Sequence, residues 1–182
     1  MRALIQILGL AAVINSAAAQ TARTEVTNAA PPKEDFQPNT SAVPEVYALT
    51  GQFERILVLR LKYQADLLGG LERAVKENNI HNAVILSGIG SVHGYHYHVV
   101  SNGTFPSKNV FVKNPTGPAD IASMNGYVIN GRVHAHLTMA DADKAFGGHL
   151  EPGTTVFTFA IVTVGVLKDG IDLSRIDDKN YR

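Results

Sequence analysis

The seven histidines of this 182-residue chain are not evenly spread. His134, His136 and His149 fall within the short stretch Gly131–Leu150. The first two are two residues apart in a run, Arg132–Thr138, that reads as a β-strand. Residues i and i+2 of a strand point to the same face, so their imidazoles can converge on one ion. His149 follows Gly147-Gly148, read here as a turn that returns the chain beside that face. Three neutral imidazoles with a fourth position open are a familiar donor set for catalytic zinc, and they also suit other borderline divalent metals. The expected site is therefore His134, His136 and His149 holding one divalent ion, with zinc the first choice. The plainer alternative is that strand histidines face solvent or bond to backbone. Asp141 and Asp143 flank the stretch. Either could orient an imidazole through its second nitrogen or serve as a base, but Asp is also favoured in turns.

A second group, His93, His96 and His98, lies in another strand-like run, Val92–Val100. His96 and His98 share a face, and His93 has the opposite parity, with Tyr95 and Tyr97. This group is read as an exposed or interface strand rather than a second ligand pair. His81, at a helix-to-strand junction, is given no special role.

Around these residues the chain alternates sharply between β-rich runs and turn signals. Residues 55–61 read as a strand. Asp66 is a candidate N-cap for a helix carrying Leu67, Leu68, Leu71, Ala74 and Val75 at helical spacing. Residues 83–86 read as a second strand, Ser87-Gly-Ile-Gly-Ser91 as a turn, and 92–100 as a third strand. Residues 109–113 and 119–129 follow. Asn130-Gly131 is a strong hairpin signal, joining 119–129 to 132–138. Residues 140–146 read as a loop or one helical turn, and 154–167 as a long β-branched strand. The expected class is α/β (α+β): a mainly antiparallel sheet with at least one packed helix. The organisation is 1–19 leader, 20–45 flexible linker, 46–168 compact domain and 169–182 polar tail.

Composition narrows the function. Lysine plus arginine equals aspartate plus glutamate, 16 each, so the formal net charge is zero. That argues against a general affinity for nucleic acid, which needs concentrated basic charge to displace counterions. Cysteine is absent, which excludes disulfides, thiol catalysis and thiolate-bound zinc. Arg2, the apolar run 3–14 and Ala17-Ala18-Ala19 form a secretory leader cleaved before Gln20, so the mature protein is expected to be secreted or periplasmic. The apolar run is shorter than the roughly 20 residues a membrane helix needs, and no span is expected in the mature protein. Ser87–Ser91 lacks the phosphate-loop pattern. No nucleophile, base or cofactor loop completes an active site, so enzymatic activity stays open.

Leu86-Ser-Gly-Ile-Gly-Ser91, His134-Ala-His136 and Phe146-Gly-Gly-His-Leu150 together resemble the PPC domain, conserved in plants and prokaryotes (DUF296 or PCC). The order and spacing match across roughly Gln52–Leu167. The resemblance implies a homotrimer and carries His134, His136 and His149 over as a metal cluster; the leading expectation adds a small-molecule ligand nearby. In plants this domain accompanies AT-hook motifs in nuclear proteins. Here the Arg-Gly-Arg-Pro core of an AT-hook is missing and a leader is present, so DNA binding by family analogy is disfavoured. An acidic residue that relatives carry in the last strand, near Ile161, is also missing, and with it any role borrowed from it. The competing reading is a trimeric interaction module without metal chemistry.

Overall fold

The computed structural model describes residues 21–27 and 40–178. The expected leader, 1–19, and the end of the tail, 179–182, lie outside the described residues, as does the middle of the expected linker. Eight strands and one helix follow in the order β1 (Ala22–Thr27), β2 (Phe53–Lys62), α1 (Leu67–Glu77), β3 (Ala83–Val100), β4 (Lys108–Asn114), β5 (Ala119–Ile129), β6 (Arg132–Ala140), β7 (Ala145–Leu150) and β8 (Thr155–Leu167). Every strand pairing is antiparallel. This is the expected α+β class, a mainly antiparallel sheet with one helix packed on it. Among the described residues, no helix is long and apolar enough to cross a membrane.

β3 is the organising strand. It spans 18 residues and pairs with β4, β5, β7 and β8. Because β5 pairs with β6, β6 with β7, and β7 with β3, these four strands close a ring of hydrogen bonding. Inside it sit Met124, Ala135, Leu137, Met139 and Leu150, all essentially buried. Helix α1 adds Leu67, Leu71 and Val75 to the same core. Burying a leucine of this kind contributes on the order of 2 kcal/mol. Asp66 caps the helix as expected, Oδ1 accepting from Gly69 N at 2.8 Å. Its other oxygen accepts from Gly153 N at 2.6 Å and so ties the helix start to the β7–β8 connection. Asn130 and Gly131 turn the β5–β6 hairpin with φ of 50° and 76°, the left-handed pair such a turn requires.

The structure corrects four expectations. Ser87–Ser91 does not turn the chain. It continues β3, with register shifts between Ile85 and Ser87 and between Gly90 and Val92, so bulges absorb the glycines instead of a reversal. Gly147 and Gly148 do not form a turn either. They lie inside β7, and the reversal before it is made by Asp141, whose Oδ1 accepts from Asp143 N and Lys144 N, each at 2.9 Å. Within the expected linker, Ala22–Thr27 pairs with β4 as a strand, its side-chain alternation too polar to announce itself. The expected polar tail packs as far as Asp177. Leu173 is buried, and Asn82 Nδ2 donates to Ile171 O at 2.8 Å.

Gly147 and Gly148 are required by close approach. A Cβ at Gly147 would collide with the Leu137 carbonyl oxygen on β6, and one at Gly148 with the His98 carbonyl oxygen and the Val99 side chain on β3. Gly103 offers a control, since a Cβ there meets nothing within 4 Å. Gly148→Ala is therefore expected to cost on the order of 2–3 kcal/mol through overpacking. Gly103→Ala should change stability by less than about 0.5 kcal/mol. Denaturant unfolding of the two variants checks this, and equal stabilities would refute the close-approach account.

Candidate metal centre

The ring closure fixes a row of side chains on its outer face. In register, His136 on β6 lies opposite His149 on β7, and His149 lies opposite His98 on β3. Their neighbours Ala135, Leu137, Leu150 and Tyr97 alternate inward and are buried. His134, two residues before His136, joins the row from the same face. One donor atom from each of His134, His136 and His149 lies within 4.8 Å of the others. The ring centroids are 5.4 Å apart for His134–His136, 4.8 Å for His134–His149 and 5.2 Å for His136–His149. The three expected site residues are thus brought together, although by strand pairing rather than by a returning turn.

Two carboxylates stand behind this row. Asp177 Oδ1 is 2.9 Å from His134 Nδ1. Glu151 Oε1 is 2.6 Å from His98 Nδ1. A carboxylate on Nδ1 fixes the tautomer and leaves Nε2 with its lone pair outward, the usual support for a metal-bound imidazole. Asp141 and Asp143, the two acids first considered for that role, are used in the turn instead. Asp177 was out of reach of sequence reasoning because it lies in a segment with no periodicity. Glu151 carried a readable signal, its i+2 spacing from His149.

The histidines are also held in the form a metal needs. Burial lowers the His149 pKa to about 4, with His98, His134 and His136 adding to the effect and Glu151 partly opposing it. Burial, then the neighbouring His134 and His98, lowers that of His136. Both are neutral near pH 7, with lone pairs free for a divalent ion. The donor set present therefore fits such an ion.

The remaining histidines are placed elsewhere. His96 Nδ1 lies 2.8 Å from the Pro152 carbonyl oxygen and its ring packs on Phe111. His93 sits against Tyr63 and Phe157, its Nδ1 shielded and without a partner. His81 lines a groove of about 720 Å³ that reaches His134, His149 and Asp177 at one end and Lys76 and Arg132 elsewhere along its wall. A smaller polar hollow containing Ser123, Asn125 and Thr138 opens beside His136.

The model of the Plants and Prokaryotes Conserved (PCC) domain matches residues 48–168. The chain is 26% identical over 141 residues to the bifunctional protein GlmU of Synechococcus sp. (strain JA-3-3Ab), covering 77% of this chain but 21% of that one. It thus spans about a fifth of the length of that relative. The crystal structure of the metal-containing protein AF0104 from Archaeoglobus fulgidus is similar at 25% identity and a TM-score of 0.59, over 68% of this chain and 86% of that one. A plant- and prokaryote-conserved (PPC) protein from Pyrococcus horikoshii shares the fold at 23% identity and a TM-score of 0.58, over 70% and 87% of the two chains.

A pH dependence follows from His149. In the unfolded chain its pKa returns to about 6.5, above the folded value of about 4. Between these the unfolded state binds the extra proton, so stability present above pH 6.5 is lost as pH falls toward 4. The metal-stripped protein should lose denaturant resistance steadily from pH 6.5 to 5, and His149→Gln should flatten that slope. An unchanged slope in the variant would show that the row of imidazoles does not carry the effect.

Proposed function

The chain belongs to the Plants and Prokaryotes Conserved (PCC) domain family, and on that premise we propose that it is an exported, self-associating domain that holds one zinc-like divalent ion through His134, His136 and His149. The observation that carries this reading is the convergence of three imidazole donors within 4.8 Å, two of them kept neutral. The metal-containing archaeal relative, similar at 25% identity, supports it. Bound there, the ion would supply Lewis acidity, and the adjoining groove offers room for a small ligand. Asp177 holds the His134 ring in place. Zero net charge counts against the DNA-binding alternative, and the leader-like residues 1–19 support export.

Metal content tests the site. Protein purified without a histidine tag should carry about one zinc per chain, and His136→Ala should lose most of it. His96→Ala should keep it, because His96 is engaged with Pro152 and lies outside the row. Equal, full occupancy in both variants would move the site elsewhere. A wild-type protein that never takes up zinc would favour a metal-free interaction module.

Self-association has its own support. Ile56 and Val58 on β2, Ile89 on β3 and Phe157 and Phe159 on β8 are all substantially exposed. Pairing of β2 and β3 on either side of β8 puts them on one sheet face. An apolar patch of this kind supports an interface, and the family resemblance favours a trimer as the proposed assembly. Light scattering should give three times the chain mass. Val58→Asp, at a position 68% exposed, should lower it toward the monomer with little effect on the fold. A wild-type monomer at micromolar concentration would rule the assembly out.

A further inference from the structure

We infer that His98, His149 and Glu151 form a second seat for a divalent cation, one that shares His149 with the first and competes with it. The inference rests on the proposed three-histidine site and extends it. One donor atom from each of these residues lies within 4.8 Å of the others. Strand register fixes His98 directly opposite His149, and the two rings stack at 4.5 Å. Glu151 follows β7 directly, so its carboxylate approaches the same pair, 2.6 Å from His98 Nδ1. An ion in this seat takes the place of the proton the two share, and Glu151 then serves as a ligand instead of orienting the His98 ring. Both His98 and Glu151 are about four-fifths buried, with side chains 20% exposed, so neither is a freely solvated surface group. His96, the other member of its HxH pair, is excluded by its bond to Pro152 O.

The two seats differ in chemistry. The first offers three imidazoles. The second offers two imidazoles and one carboxylate, a harder donor set that suits manganese(II) or iron(II) better than a purely nitrogen set does. A neutral imidazole has a proton on one ring nitrogen and a lone pair on the other. His149 therefore serves one ion at a time. The chain holds a single cation, and the hardness of that cation decides which side of His149 it occupies.

Manganese(II) alone is the probe, read by loss of the free-ion paramagnetic resonance signal, with zinc read by competition against a chelator. Wild type should bind one manganese per chain, and zinc should displace it. His98→Ala and the near-isosteric Glu151→Gln should each weaken manganese binding at least roughly tenfold while zinc affinity is kept. The double variant His134→Ala/His136→Ala should do the reverse. Manganese binding that is unaffected by both His98→Ala and Glu151→Gln would overturn the second seat and leave the three-histidine site standing. Two ions bound together would overturn the competition. Loss of zinc binding from the wild type, with manganese retained, would instead remove the three-histidine site.

Discussion

The candidate site depends on how closely β7 can lie between two neighbours. β7 is only six residues long, yet it pairs with β6 along one edge and with β3 along the other. Its two central glycines leave no side chain to hold either neighbour away. With that approach, β3, β5, β6 and β7 close on themselves, and three strands bring His136, His149 and His98 into one row. Without it, β7 would be an edge strand and the histidines would face solvent separately. The cost of two entropically expensive glycines is offset by closure of the hydrogen-bonding ring and by burial of Leu137, Met139 and Leu150 behind it.

Bringing four imidazoles together has an electrostatic consequence. Protonating His149 or His136 is opposed by burial and by the neighbouring imidazoles, which lowers the pKa of both, that of His149 to about 4. The carboxylates are placed at the ends of the row, Asp177 on His134 and Glu151 on His98, and not at its centre. Their charge orients the outer rings, while burial keeps His136 and His149 neutral, with Glu151 opposing this in part at His149. A centre built this way would hold a cation through lone pairs rather than through net charge, in a chain whose formal charge is zero.

Local signals in the sequence were enough for some of this and not for the rest. The alternation in Arg132–Thr138 put His134 and His136 on one face, Asn130-Gly131 located the hairpin, and Asp66 marked the helix start, because each is decided within a few residues. The length of β3 was not readable. Gly88 and Gly90 look like turn residues, and only the proximity of Met124 and of the Phe159–Ala160 backbone shows that they are there to let strands approach. The same misreading turned β7 into a loop, since glycine signals either reversal or close packing and composition does not distinguish them. His98 and Asp177 became site neighbours only through pairings 51 residues apart (His98 with His149) and 43 residues apart (His134 with Asp177).

One strand serves both faces of the domain. The first half of β3 pairs with β8 and presents Ile89 on the apolar sheet face, while its second half pairs with β7 and presents His98 to the histidine row. The register shifts between these halves rotate the strand, so that one continuous backbone changes the direction in which its side chains point. Thr154, fully buried, couples the two ends. Its hydroxyl donates to His96 O and accepts from His96 N, each at 3.0 Å, where β7 passes into β8. These bonds fix the start of β8 to His96, two residues before His98. The proposed assembly face and the proposed cation site are therefore not structurally separate. Both surfaces rest on β3, which carries Ile89 on the one and His98 on the other.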